Sequence, residues 1–149
     1  MTSQELDLRA IIVFGSFVGN TETLAGYVKH GLEQAGHSVV MKDVVYTDIR
    51  ELLDYELILL ASPTYEPKMV QDDMIDFYER LSELDLSGRK AAAFGPGDTA
   101  WPDFCEAVHY LDKRLRERGA EIVTDPLMID GVVEEHEQEA VAWGRSIQP

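Results

Sequence analysis

A chain of 149 residues with 45% hydrophobic side chains can bury a substantial core, and a single domain over residues 1–149 is expected. Its 13 Lys and Arg stand against 28 Asp and Glu, and the resulting net charge of −15 repels phosphate backbones and anionic lipids, so nucleic acid is not expected as a partner. The longest apolar runs, such as Leu57 to Ala61, fall far short of the roughly 20 residues of a membrane helix, and the acidic start Met1-Thr-Ser-Gln-Glu-Leu-Asp7 lacks the Lys or Arg of an export signal, so a cytoplasmic protein without membrane insertion is expected.

The first element, Arg9 to Phe14, is a continuous apolar run of the kind that a parallel strand buried on both faces requires. After the loop from Gly15, the four-residue spacing of Leu24, Val28 and Leu32 predicts a helix over 21–35, stopped by Gly36. His37 to Met41 reads as a second strand and 47–53 as a short helix, followed by Glu56 to Ala61 as the third and most apolar strand. Beyond the loop 62–68, Met74, Ile75, Tyr78 and Leu81 share one helical face that ends near Gly88. Lys90 to Phe94 is the fourth strand, and a Gly-Pro-Gly loop leads to a helix over 102–118 that aligns Phe104, Val108, Leu111 and Leu115. The last strand spans 121–124 with a continuation through 127–129, and 134–146 is the closing helix.

Strands and helices alternate at spacings of about 30 residues, the period of the strand-helix-strand unit. No repeat or linker divides them, which is the sequence form of an open five-stranded parallel α/β sheet with helices on both faces. Ligands of such sheets bind outside the carboxyl ends of the strands where the winding reverses. Loops 15–20, 62–68 and 95–101 all lie at that edge and are where chemistry is expected.

In the first loop, Gly15 and Gly19 let the backbone turn and approach a ligand closely. Ser16, Asn20 and Thr21 add side-chain donors beside the free N–H groups of a helix start, which together suit an anion. The simpler alternative is that Asn20 or Thr21 caps the helix, with Glu22 in its favourable first turn. The loop is not a Walker A motif and lacks the Gly-x-Gly-x-x-Gly of a dinucleotide site.

Gly15-Ser16, Gly19-Asn-Thr-Glu22 and Ala25 resemble the phosphate-loop signature of the flavodoxins. Ser62-Pro-Thr-Tyr-Glu-Pro67 and Gly95-Pro-Gly-Asp98 with Trp101 and Phe104-Cys105 are similar to that family's two ring-flanking loops, and Gly119-Ala-Glu-Ile-Val and Ile129-Asp-Gly131 to its ending. The resemblance covers essentially the whole chain and is to the short-chain members, since no long insertion interrupts 121–129. It implies a flavodoxin-like sheet of order 2-1-3-4-5 with flavin mononucleotide (FMN) at the switch point. Flavodoxin is itself a standard illustration of that rule, so the placement comes from the resemblance alone.

The implied cofactor contacts are Gly15, Ser16, Phe17, Val18, Gly19, Asn20 and Thr21 for the phosphate, and Ser62, Pro63, Thr64, Tyr65 and Glu66 in the second loop. Gly95, Pro96, Gly97, Asp98, Trp101, Phe104 and Cys105 complete the set in the third. An isoalloxazine ring is flat and apolar on both faces, so Tyr65 and Trp101 are expected to sandwich it, with the order of Trp and Tyr reversed from many members. The backbone N–H of Asp98 is expected at the pyrimidine edge of the ring with that of Cys105 nearby, and negative groups there disfavour an anionic reduced flavin. Phe17 and Val18 replace hydroxyl residues usual in the phosphate loop, and Pro63 stands where a Ser is often found. Three neutral hydrogen bonds at about 0.5 to 1.5 kcal/mol each are thereby lost, and weaker binding is expected. In the family the peptide after the first aromatic turns over on one-electron reduction, and Glu66 before Pro67 is expected to restrict it.

What the resemblance implies is a low-potential electron carrier without substrate turnover or metal. Its partners are expected to be redox proteins with basic docking faces, such as a ferredoxin/flavodoxin reductase and an acceptor enzyme, met by a monomer. The alternative is an FMN-dependent NAD(P)H or quinone reductase of the same fold, for which two loop aromatics leave little room. A response regulator would need acidic residues where Phe14-Gly15 and Ala61-Ser62 stand. Cys105 reads as a buried small hydrophobe, Trp143 as packing, and His30, His37, His109 and His136 as surface residues away from the loops.

Overall fold

The computed structural model describes residues 9–15, 19–65, 69–70, 72–98 and 105–149. The chain alternates strand and helix: β1 (Arg9–Phe14), α1 (Asn20–Gln34), β2 (Ser38–Asp43), β3 (Leu57–Ala61), a hairpin of β4 (Thr64–Tyr65) and β5 (Met69–Val70), α2 (Asp72–Arg80), β6 (Lys90–Gly97), α3 (Glu106–Glu117), β7 (Glu121–Ile122), β8 (Leu127–Asp130) and α4 (Glu137–Arg145). The main sheet is parallel in the order β2-β1-β3-β6, with β7 and β8 both paired to β6. This is the 2-1-3-4-5 order, with the fifth strand in two pieces: β7 lies beside Lys90 and Ala91, and β8 beside Phe94 to Gly97.

The alternation of side chains along β1 builds two cores at once. Ile11 and Val13 join Ile58, Leu60, Ala91 and Ala93 against Met74, Phe77 and Leu81 of the α2 segment and Val108, Leu111 and Leu115 of α3. Ala10, Ile12 and Phe14 join Leu57, Leu59, Ala92 and Phe94 against Leu24, Val28 and Leu32 of α1 and Ala140 beside them. Both faces of the strands are therefore covered, which is why β1 and β3 read as unbroken apolar runs. Each fully buried Leu or Ile contributes about 1.5–3 kcal/mol.

Helices α1 and α4 touch through glycine. A Cβ on Gly31 would stand 2.1 Å from the Val141 carbonyl oxygen, and one on Gly144 would stand 2.5 Å from that of Val28, so no larger residue permits this backbone approach.

Three local expectations change. The Gly95-Pro-Gly97 segment continues β6 instead of opening a loop, because β8 pairs with it. The helical turn expected at 47–53 is a 3-10 turn, Ile49–Asp54, and Asp48 opens it with a capping box. His37 is buried with 5% exposure, and its Nε2 lies 2.5 Å from the Ile147 carbonyl oxygen, so it secures the C-terminal segment instead of facing solvent. His30 and His109 are exposed and His136 is partly so. Trp143 packs on Phe94, with ring centroids 5.6 Å apart, and its Nε1 donates to the Asp125 carbonyl at 3.0 Å.

Candidate functional site

β1 connects outward to β2 on one side and, later, β3 lies on its other side, so the winding reverses at the carboxyl ends of β1 and β3. A run of backbone bonds fixes the loops that leave there. Gly15 N–H donates to the Ala61 carbonyl at 3.0 Å, Ser62 N–H to Phe94 at 3.4 Å, and Gly131 N–H to Gly97 at 2.9 Å. The exits of β1, β3, β6 and β8 are thus side by side along one edge of the sheet.

In the first loop, Gly15 is buried and Gly19 sits at φ 91° as the residue preceding α1, a left-handed conformation that favours glycine. Gly19 has no side chain with which to cap the helix, so neither Asn20 nor Thr21 holds the capping position. Asn20 is exposed as the first helical residue, whereas Thr21 is 1% exposed and its Oγ1 has no hydrogen-bond partner. A buried hydroxyl without a partner is uncommon and is free to bond a group that enters the site. It stands in the first turn of a helix whose leading N–H groups have no intrahelical acceptor. That donor set fits a phosphate monoester. Ser16, Phe17 and Val18 lie outside the described residues.

In the second loop, Ser62 is buried and its hydroxyl donates to the Pro63 carbonyl at 2.8 Å. Thr64 and Tyr65 form β4, paired antiparallel with Met69 and Val70, a hairpin where the sequence predicts only loop. Tyr65 is placed by its backbone, and Glu66 with Pro67 lies outside the described residues.

The third loop leaves β6 after Gly97. Gly95 and Pro96 are buried, Gly97 is half-buried and Asp98 is exposed. A Cβ on Gly95 would stand 2.3 Å from the Ser62 carbonyl oxygen and 2.8 Å from Val108 Cγ2, so the second loop lies backbone to backbone against the end of β6, from which the third loop leaves. Trp101 and Phe104 lie outside the described residues. The loop ends at Cys105, buried and at φ 51°, whose thiol donates to the Gly95 carbonyl with a 3.6 Å separation. Burial, and then the charge of Asp130, push this thiol up to about 12, so it stays protonated at neutral pH.

One contact at this edge joins the second loop to the start of α3. Ala107 N–H, in the first turn of α3, donates to Thr64 Oγ1 at 2.9 Å. The sequence carries no signal for it, since Thr64 lies 43 positions before Ala107.

Acidic residues stand at both edges of the sheet, with Asp54, Glu56 and Glu121 beside the amino ends of β3 and β7, and Arg80, Arg114 and Arg116 paired with Glu83, Glu117 and Asp112. Asp43 ends β2, Asp98 follows β6, and Asp130 ends β8, all at the carboxyl edge. Arg9 and Lys90 begin strands, and Arg80, Arg114, Arg116 and Arg145 sit in the last turns of helices that run back toward the amino edge. A 270 Å³ depression lined by Leu53, Asp54, Tyr55, Glu56, Gly88 and Arg89 lies at that opposite edge, away from the loops.

The family model described as Flavodoxin matches residues 12–144. The chain is 37% identical to a flavodoxin of Maridesulfovibrio salexigens over 142 residues, covering 93% of this chain and 96% of that one. The solved flavodoxin of Streptococcus pneumoniae superposes with a TM-score of 0.87 at 33% identity, over 93% of this chain and 95% of that one. A Fusobacterium nucleatum flavodoxin solved with bound flavin mononucleotide shares the fold, with a TM-score of 0.77 at 15% identity over 93% and 95% of the two chains.

Proposed function

This chain belongs to the flavodoxin family, and from that premise we propose that it holds FMN at the carboxyl edge of its sheet. As a flavodoxin it is an electron-transfer protein that works with redox partner proteins and turns over no substrate of its own. When bound, the flavin supplies the redox chemistry, accepting and releasing electrons. The chain's own residues bind it, orient it and keep water from its buried parts. We read residues 1–149 as one such domain.

The observation that carries the cofactor reading is Thr21: a buried hydroxyl without a partner, in the first turn of a helix opened by a left-handed glycine. Thr21 Oγ1 and the N–H groups of that turn would hold the phosphate, with Ser16 and Asn20 beside them. Phe17 and Val18 would contribute through their backbone. Ser62, Pro63 and Thr64 would line one side of the ring site, and Gly95, Pro96, Gly97 and Asp98 the other. Tyr65 and Trp101 would cover the two ring faces, with Glu66, Phe104 and Cys105 completing the set. The FMN-bound Fusobacterium relative supports this cofactor through its shared fold.

The net charge of −15 supports a basic docking face on the partners. With Asp43, Asp98 and Asp130 at the cofactor edge, a positively charged surface is drawn toward the end where electrons would leave. A reductase of the ferredoxin type and an acceptor enzyme are proposed as those partners, met by a cytoplasmic monomer. Among the described residues no helix is long and apolar enough to cross a membrane.

Reconstitution of the apoprotein tests the reading. FMN should bind one to one with quenched fluorescence, riboflavin more weakly, and FAD negligibly. Equal affinity for FMN and riboflavin would remove the phosphate site, and preference for FAD would remove the reading altogether.

A further inference from the structure

We propose that Thr64 is a positioning residue that ties the two ring-flanking loops together by capping α3 from the neighbouring loop. The proposal rests on the reading that those loops flank the flavin ring. A helix start is ordinarily capped by the side chain of the residue immediately before it, whose oxygen accepts from the second or third N–H. The residue before α3 is Cys105, which makes no such bond. Its sulfur is turned instead toward Gly95, and its backbone is left-handed. The acceptor for Ala107, the second residue of the helix, is Thr64 Oγ1 at 2.9 Å, supplied from 43 positions earlier in the chain.

The position of that bond gives it a consequence for the site. Thr64 is the first residue of β4 and Tyr65 the second, so the bond is anchored one residue from the aromatic of the second loop. Ala107 lies two residues beyond Cys105, where the third loop ends after Trp101 and Phe104. One hydrogen bond thus sets the separation between the roots of the two segments that carry the proposed ring aromatics. Gly95 reinforces the tie, since its lack of a Cβ lets β6 lie against the Ser62 carbonyl at the other root. Besides lining the ring site, Thr64 acts on the flavin through the loops it joins. Its removal leaves the two loops to be ordered against each other when the ring enters, which lowers affinity for the ring whatever is attached to it.

The experiment compares Thr64→Val, Thr64→Ser and Thr64→Ala with Asp85→Ala, which removes a side-chain to backbone bond of the same kind, Ser87 N–H to Asp85 Oδ1 at 2.9 Å, at the amino edge of the sheet. Hydrogen exchange is followed at the Ala107 amide in each apoprotein, and dissociation constants for FMN and riboflavin are measured by fluorescence. Thr64→Val and Thr64→Ala should speed exchange at Ala107 and weaken both flavins alike by about two- to thirtyfold, the range of a lost helix cap. Thr64→Ser should restore both readouts, and Asp85→Ala should leave both unchanged. The proposal is overturned if the wild-type protein binds FMN while the Val and Ala variants keep its affinity within twofold, if Asp85→Ala weakens flavin equally, or if Ser fails to restore what Val removes. A wild-type protein that binds no flavin overturns the reading of the loops, and the proposal with it.

Discussion

The backbone N–H of Gly15 donates to the carbonyl oxygen of Ala61 at 3.0 Å, so the loops after β1 and β3 leave the sheet as bonded neighbours. A ligand whose phosphate rests on the first loop would therefore have the second loop beside it. The distribution of binding energy between the two loops then becomes measurable residue by residue.

Thr21→Val keeps the buried shape and removes the orphaned hydroxyl. If Thr21 Oγ1 serves the phosphate, FMN affinity should fall by about 1.5–3 kcal/mol, the range for a hydrogen bond to a charged group, while riboflavin affinity should not change. Parallel fluorescence titrations of the two flavins check this. Equal losses for both would place the hydroxyl elsewhere in the site.

Tyr65→Ala and Trp101→Ala should each weaken FMN by about 1–3 kcal/mol and relieve part of the fluorescence quenching, as expected for the loss of a large aromatic face. Were only one of the two to respond, the ring would be covered on one side alone.

Gly95→Ala places a methyl 2.3 Å from a carbonyl oxygen that belongs to the next loop. Backbone must move to admit it, at a loss of about 1–3 kcal/mol in urea-unfolding free energy, with weakened FMN binding as the loop at Ser62 shifts. Undiminished stability would show that the two loops are less closely joined than the geometry states.

Cys105 makes a pH prediction. Its thiol is held near 12 in the folded protein against about 8.5 in an unfolded chain, so between those values the folded state binds the extra proton. Its contribution to stability is complete below about 8.5 and lost as pH rises toward 12. Folded protein should resist alkylation by iodoacetamide at pH 8, and Cys105→Ala should flatten the alkaline fall in unfolding free energy relative to wild type. Rapid labelling at pH 8 would mean an exposed thiolate.

The parts of this structure that were legible in the sequence are those ruled by side-chain periodicity. Arg9 to Phe14 was bounded correctly because a strand buried on both faces has no polar position to blur it, and Leu24, Val28 and Leu32 located the buried stripe of α1. What was not legible depends on partners distant in the chain. Gly95-Pro-Gly97 reads as a loop until β8 is placed beside it, and His37 reads as a surface residue until Ile147 comes to meet its ring. The β4–β5 hairpin pairs only two residues on each side, too few to leave a period of two. In the proposed phosphate loop the glycines are legible in the sequence, whereas the burial of Thr21 is not. Ser16, Phe17, Val18, Glu66, Trp101 and Phe104 fall outside the described residues, and all the cofactor contacts are proposed from the resemblance.

The measurement that tests the central claim most directly is a spectroelectrochemical titration of the purified, FMN-reconstituted protein, followed by addition of NADPH with and without a ferredoxin-type reductase. An electron carrier should show one FMN per chain reduced reversibly at low potential, and should oxidise NADPH only when the reductase is present. Direct oxidation of NADPH by the protein alone, or a chain that retains no FMN, would contradict the account.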